Sequence, residues 1–193
     1  MVIEATREFA AAVDELDRAG VQPDLEEKVA AWYATNFTPR MAELLGHEPP
    51  PGEHLPVGGA PYYLQYHYIV ANPNPPERRR LLDDPGDGSD YTRVHALFHP
   101  LMRAAATTVG FFDFMIADVR TGRLIYTMEK EPDFTTSLHF GPYRHSSVAA
   151  AVARCAQAPD PSLVCLEDFA PYDPSFGAPT AFIAATNVFV PSS

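Results

Sequence analysis

Two short apolar runs on either side of a turn constrain this chain more than any other feature. The first occupies residues 111–117 and breaks at Asp118-Val-Arg-Thr-Gly122; the second occupies residues 124–128. Two β-rich runs joined by a tight, glycine-containing turn predict a β-hairpin. Directly after it stand Glu129, Lys130, Glu131 and Asp133. Charge is thereby set at the hairpin's open end, just ahead of the next helix. A small ligand would find a polar wall there.

The flanking sequence supplies helices before the hairpin and a second β pair after it. Residues 6–19 carry Phe9, Val13 and Leu16 on one stripe and stop at Gly20. Pro23-Asp24 starts a second helix, with Asp24 and Glu27 spaced as a capping box. Thr38-Pro39 then gives either a kink or a restart. Residues 47–61 hold too many prolines and glycines for regular structure, and residues 62–70 predict a short helix. Residues 72–85 read as a polar loop. Residues 90–109 form the firmest helix: Asp90 can cap it, Val94, Leu97, Leu101, Ala105 and Val109 form its apolar stripe, and Gly110 closes it. Pro100 should bend it. After the hairpin come an alanine-rich helix over residues 146–156 and strands over 163–166 and 181–190, separated by a loop at 168–177. Helices followed by β-β-α-β-β predict an α+β fold, a mainly antiparallel sheet with helices against it. Residues 1–61 form a helical segment with a Pro/Gly-rich loop, and residues 62–193 the domain that carries the sheet.

Composition narrows the partners. The chain of 193 residues is 46% hydrophobic, enough for a core. Its net charge is −11, and residues 1–60 hold 11 acids against 4 Lys/Arg. Nucleic acid and anionic lipid both demand a clustered positive face, so neither is an expected partner. The one basic run, Arg78-Arg79-Arg80, is followed by Asp83, Asp84 and Asp87 and reads as a solvated loop. The two cysteines, Cys155 and Cys165, match no zinc pattern; burial as small apolar side chains is the default, with pairing open to an oxidising compartment. No stretch approaches the ~18 apolar residues of a membrane span.

Few motifs carry chemistry. There is no G-x-S-x-G, no phosphate-binding loop and no dinucleotide turn, so no cofactor is expected and the chain reads as non-catalytic. His95 and His99, four apart on a helix, share a face and offer a metal two imidazoles, with Asp113 or Asp118 as a third ligand brought by folding. A metal-binding protein or metal-dependent enzyme built on this pair is the alternative function. Lys130 with Asp133 suits a zwitterionic or carboxylate ligand, or else forms a surface ion pair. Tyr143 and Ser146 stand at a helix start that favours anionic groups, where Ser146 also serves as a cap. Asp168 and Tyr172 follow a strand. Tyr62, Tyr63, Tyr66 and Tyr68 combine apolar walls with polar tips suited to a pocket.

A set of motifs in fixed order carries a family likeness. They are Leu64-Gln-Tyr-His-Tyr-Ile-Val-Ala-Asn-Pro73, Val94-His-Ala-Leu-Phe-His-Pro100, Gly110-Phe-Phe-Asp113 and Gly122-Arg-Leu-Ile-Tyr-Thr127. Lys130-Glu-Pro-Asp-Phe134, Gly141-Pro-Tyr-Arg144, Asp168-Phe-Ala-Pro-Tyr-Asp-Pro-Ser175 and Ala181-Phe-Ile-Ala184 follow. Over residues 62–190 the chain resembles the PAS-like sensor domains of the Cache superfamily, found in bacterial receptors with cyclase, histidine kinase, phosphatase or chemotaxis outputs. The resemblance implies an N-terminal signalling helix, a PAS-like antiparallel sheet, and a small-molecule pocket between sheet and loops. It implies an amino acid, amine or organic acid as ligand, held by Tyr126, Lys130, Asp133, Tyr143, Ser146, Asp168 and Tyr172. It also implies a homodimer through the N-terminal helices, at the periplasmic or extracellular face of a membrane receptor. The chain departs from the pattern at Val190-Pro-Ser-Ser193, where a last strand and a membrane helix are expected. It therefore reads as an excised domain, lacking that strand, or as a soluble relative.

Overall fold

The computed structural model describes residues 2–158, 160 and 162–186. Its elements run α1 (Val2–Ala19), α2 (Pro23–Trp32), α3 (Thr38–Leu45), α4 (Gly59–Gln65), α5 (Asp90–Val109), β1 (Met115–Asp118), β2 (Arg123–Thr127), α6 (Ser147–Ala156), β3 (Val164–Tyr172) and β4 (Ala178–Ala185). The fold is α+β, as the element order predicts. Among the described residues no helix is long and apolar enough to cross a membrane.

Two helices contain a widened turn. Residues Tyr33–Phe37 join α2 to α3 as a π-turn, and Tyr66–Val70 extend α4 in the same way. In the first, the Thr38 N–H reaches back to the Tyr33 carbonyl. Pro39, one residue later, has no N–H to donate, so a wide turn just ahead of it lets the helix run on. α3 thus starts at Thr38 with Pro39 in its first turn, but its N-cap is Phe37, itself helical, so Thr38 caps nothing and the register slips across the join.

α1 packs across α4 and α5. Asp17 takes the Ala60 N–H at 2.9 Å and so caps α4 from another helix, while also pairing with Arg123 at 3.1 Å. Gly59 stands where a Cβ would lie 2.7 Å from the Gly20 backbone, so this helix crossing admits only glycine. The main core joins Phe9 and Val13 of α1, Leu64 and Tyr68, Tyr91, Val94, Phe98 and Met102 of α5, and Ile125 and Tyr126 of β2. Residues before and after position 61 therefore share one core.

The buried face of α5 is not the stripe expected from its aliphatic residues. Leu97, Leu101 and Val109 are exposed; Tyr91, Thr92, His95, Phe98, His99 and Met102 point inward. The cap also differs. Ser89, not Asp90, accepts the Thr92 N–H, at 3.1 Å. Ser89→Ala is expected to cost about 1 kcal/mol in chemical denaturation. Asp90→Ala, which removes only an exposed contact to Arg93, should cost a few tenths of a kcal/mol at most. Equal losses would contradict this assignment of the cap. The Arg78-Arg79-Arg80 run is likewise no solvated loop. It lies in a 3-10 turn (Pro76–Leu81), with Arg79 buried against Trp32 and Arg80 paired to Glu129 at 2.7 Å.

The hairpin forms around Asp118, whose carbonyl accepts the Gly122 N–H at 2.7 Å and whose carboxylate accepts the Arg120 N–H at 2.9 Å. Gly122 has φ +70°, and a Cβ there would strike the His139 ring at 2.5 Å. Phe111 and Phe112, expected within the first strand, precede it and are exposed. The strands pair antiparallel, but as two separate two-stranded ribbons, β1-β2 and β3-β4, rather than one sheet. The far edge of β2 is already occupied: Leu124 donates to Thr136 and Thr135 donates to Leu124, each at 3.0 Å, and Arg123 bridges Ser137. The ribbons meet through side chains instead, with Leu124, Leu138, Val148 and Tyr172 in a common cluster. β3 runs on through residues expected to be loop, with a bulge between Glu167 and Ala170. Of the strand expected over residues 181–190, positions 187–190 lie outside the described residues.

Candidate functional site

The residues just past the hairpin fold back under it. Lys130 and Thr135 both have left-handed backbone, φ +58° and +65°, a conformation that costs a side-chain-bearing residue on the order of 1 kcal/mol. The surrounding bonds hold them there. Asp113 accepts N–H groups from Phe114, Met128 and Glu129 at 2.6, 2.7 and 3.2 Å, clamping the start of the segment. Gln65 donates to the carbonyls of Pro132 and Phe134 at 3.1 and 2.8 Å, clamping its middle. The segment presents its charges inward. Lys130 and Asp133 are both fully buried, so the surface ion pair is excluded.

Lys130 occupies an aromatic cage. Its Nζ lies 4.5 Å from the centre of the Tyr126 ring, 5.0 Å from that of Phe134 and 5.6 Å from that of Tyr68, and donates to the Thr127 carbonyl. Ring faces attract the ammonium, yet burial drives its pKa down, against the pull of Asp113. Burial drives the Asp113 carboxyl up in turn, and its Oδ2 has no hydrogen-bond partner among the described residues. Tyr126 is fully buried and completes this chamber.

His95 and His99 stack beside it with ring centres 4.2 Å apart. Both are held neutral, His99 down to about 3, by burial and then by Lys130. Their tautomers follow from their partners. His99 Nε2 faces the Arg80 carbonyl at 2.7 Å and must carry the proton, so its Nδ1 accepts from the Tyr126 hydroxyl at 2.6 Å. His95 Nδ1 faces the Asp83 carbonyl at 2.9 Å and carries its proton, leaving Nε2 bare and unpartnered. One free lone pair between two rings is not a metal site. His99 has none to give, and no group of three or more His, Cys, Asp or Glu side chains suited to a metal occurs among the described residues. The two histidines are packed inside, bonded to the loop that carries Arg80 and Asp83.

A second cluster of buried polar side chains lies around Asp133. The Tyr172 hydroxyl donates to Asp133 Oδ2 at 2.5 Å, whereas Asp133 Oδ1 has no partner among the described residues. Among those residues the buried Tyr143 hydroxyl has none either. Burial raises both groups far above their ordinary values. Glu131 and Asp113 push Asp133 further, and Tyr33 and then Asp133 push Tyr143. An aromatic wall surrounds them: Tyr33 meets Phe37, and Phe37 meets both His54 and Phe176, at ring separations of 5.5, 5.2 and 5.3 Å. His54 continues the wall to Tyr143 at 6.2 Å. The Tyr33 hydroxyl donates to Gln65 at 2.9 Å. Glu131 accepts from Ser175 at 2.6 Å.

Of the seven ligand residues expected from the sequence, five are buried in these chambers: Tyr126 and Lys130 in the first, Asp133, Tyr143 and Tyr172 in the second. Two are elsewhere. Asp168 is exposed on β3, where the bulge turns it outward and its carboxylate accepts the Phe169 N–H at 2.8 Å. Ser146 caps α6, accepting the Ala149 N–H at 3.4 Å. Two surface clefts, of about 470 and 370 Å³, lie against α6 and β3 and between α1 and α5; neither reaches the chambers.

Compared with known proteins, the chain matches no family model, no curated protein and no solved structure. The site therefore stands on its own geometry.

Sequence reasoning missed Tyr33, Gln65 and His54 as site residues. Tyr33 and Gln65 each sit at the edge of a π-turn, and a single sequence carries no periodic mark of such a turn. His54 lies in the Pro/Gly-rich loop, which pattern alone leaves unplaced. Tyr68 belongs to the tyrosine run that was marked as suited to a pocket, and it does wall the lysine cage.

Proposed function

We propose that this domain is the sensory input module of a bacterial signal-transduction receptor, and that its ligand carries a protonated amine. The observation behind this is Asp133. A fully buried carboxyl has one oxygen held by Tyr172 and the other unpartnered, beside an unpartnered tyrosine hydroxyl and inside an aromatic wall. Buried polar atoms are nearly always satisfied, and a carboxylate oxygen and a phenol oxygen can both accept, so these two orphans point to a partner that supplies donors. An ammonium offers up to three donors to Asp133 Oδ1 and Tyr143, and its positive charge suits both the carboxylate and the faces of Tyr33, Phe37 and Tyr143. An anion has no such match, because Glu131 and Asp113 already place acid near Asp133.

Entry would run through the wall pieces that come from irregular chain, the loop bearing His54 and the β3-β4 turn bearing Phe176. Signalling would be a shift in population between closed and open arrangements of these pieces against α1 to α3. An extracytoplasmic location, with the receptor's other parts beyond this chain, belongs to the same proposal.

A thermal-shift screen of amines, amino acids and organic acids tests it. A cognate amine at 100 times its Kd should add about 2.7 kcal/mol of stability. Stabilisation by organic acids alone would overturn the amine reading, and none from any class would overturn the sensor reading.

A further inference from the structure

The β3-β4 ribbon has one covered face and one bare face. Side chains alternate along a strand, so the register sorts them. Tyr172 and Phe182 cluster with Val148 and Val152 of α6, and Cys165 on the same face is buried. The other face carries Val164 and Leu166 of β3, with Leu166 directly opposite Ile183 of β4. These three side chains are 61, 59 and 60% exposed. The bulge after Glu167 adds Phe169, at 71% the most exposed large apolar side chain among the described residues.

Single apolar residues on a surface need no partner, but four on one ribbon face make a continuous patch. A lone two-stranded ribbon is also marginal in water. Charge selects the occupant. The chain carries −11, so copies of its acid-rich surface repel one another. The bare ribbon face is self-compatible instead. Glu167 pairs with Arg154 at 3.0 Å, which leaves Asp168 as the acid exposed beside the patch. A two-fold axis crossing the strands at the Leu166–Ile183 pair lays β3 antiparallel on its own copy. Asp168 then meets the Val164 end of the other copy's β3. Arg154 stands there, lining the cleft with Val164 and Leu166. The four apolar side chains offer on the order of 500 Å² per copy, or about 1,000 Å² between two, the size at which specific association begins.

We propose that the outward face of the β3-β4 ribbon is a self-association surface, on which two copies of this chain close an isologous dimer. This dimer is distinct from the one through N-terminal helices that the Cache resemblance implies, and it goes beyond the amine reading.

Sedimentation velocity of the purified chain over a dilution series tests it. The chain should pass from monomer to dimer as concentration rises. Leu166→Asp and Ile183→Asp, both at exposed positions, should each hold it monomeric at the top of the series with an unchanged circular-dichroism spectrum. Asp168→Lys should weaken the dimer about 10-fold, because it sets a cation against Arg154. Monomer at every concentration would overturn the proposal and leave the face to a different occupant. A dimer that Leu166→Asp and Ile183→Asp leave intact, or one that Asp168→Lys leaves equally tight, would overturn it too. Amine binding enters none of these readouts.

Discussion

Asp133→Asn should abolish amine binding while leaving the domain folded. Asparagine keeps the shape and still accepts from Tyr172, but it cannot carry the charge that an ammonium requires in a buried chamber. Removing one partner of a buried charged pair typically costs 3–5 kcal/mol, or roughly 100-fold or more in Kd. Tyr172→Phe, which removes only the hydrogen bond that orients the carboxylate, should cost less, about 10-fold. Isothermal titration separates the cases. Unchanged affinity in Asp133→Asn would remove Asp133 from the site.

The same residue sets a pH signature. In the ligand-free domain burial raises the Asp133 carboxyl well above 3.8, so it stays protonated where an exposed aspartate ionises. A group whose folded value is raised contributes stability below its unfolded value, and that contribution is lost as pH rises through the window up to the folded value. A cationic ligand reverses the preference by favouring the carboxylate. Binding should therefore release a proton, visible as a heat that varies with buffer ionisation enthalpy, and affinity should strengthen as pH rises through the same window. Asp133→Asn should flatten both effects.

Phe9→Ala should be the most damaging single truncation in α1. Phe9 is fully buried and touches the rings of Tyr91, Phe98 and Tyr126 at 5.1, 6.5 and 5.2 Å. It joins α1 to α5 and to β2 behind the lysine cage. Such truncations cost about 3–5 kcal/mol, which lowers Tm by on the order of 10 °C in a domain of this size. Calorimetry would check it. A drop of a degree or two would mean that α1 is not integral to the core.

Much of this architecture could be read from the chain, and the exceptions share a cause. The glycine stops at Gly20 and Gly110 and the Asp118–Gly122 turn are local chemistry, and they fell where the residues predicted. The failures involve polar groups satisfied at a distance. His95 and His99 look like a pair of metal ligands by spacing, but carbonyls of Asp83 and Arg80 satisfy them as interior residues. Arg79 looks solvated until Trp32 and the Lys130 carbonyl are brought to it. The single sheet failed for the same reason, since the partner that occupies the edge of β2 is a non-strand segment around Thr136. Lys130 and Asp133 were legible as ligand candidates from their place beside the hairpin. Their burial, which changes their chemistry, was not. The resemblance to Cache sensor domains remains an argument from motif order alone.

The π-turns at Tyr33–Phe37 and Tyr66–Val70 have a consequence for how this chain tolerates change in length. Each holds one residue more than an α-helix spanning the same rise, so the helix on one side is out of phase with the other by about 100°. Loss of a single residue within the first turn would restore an unbroken α-helix and, because the wide turn absorbs the surplus residue, leave Leu25, Val29 and Met41 on one face. A deletion elsewhere in α2 or α3 would instead swing one half of the stripe by about 100° relative to the other. Where a length change falls therefore matters to these helices as much as its size.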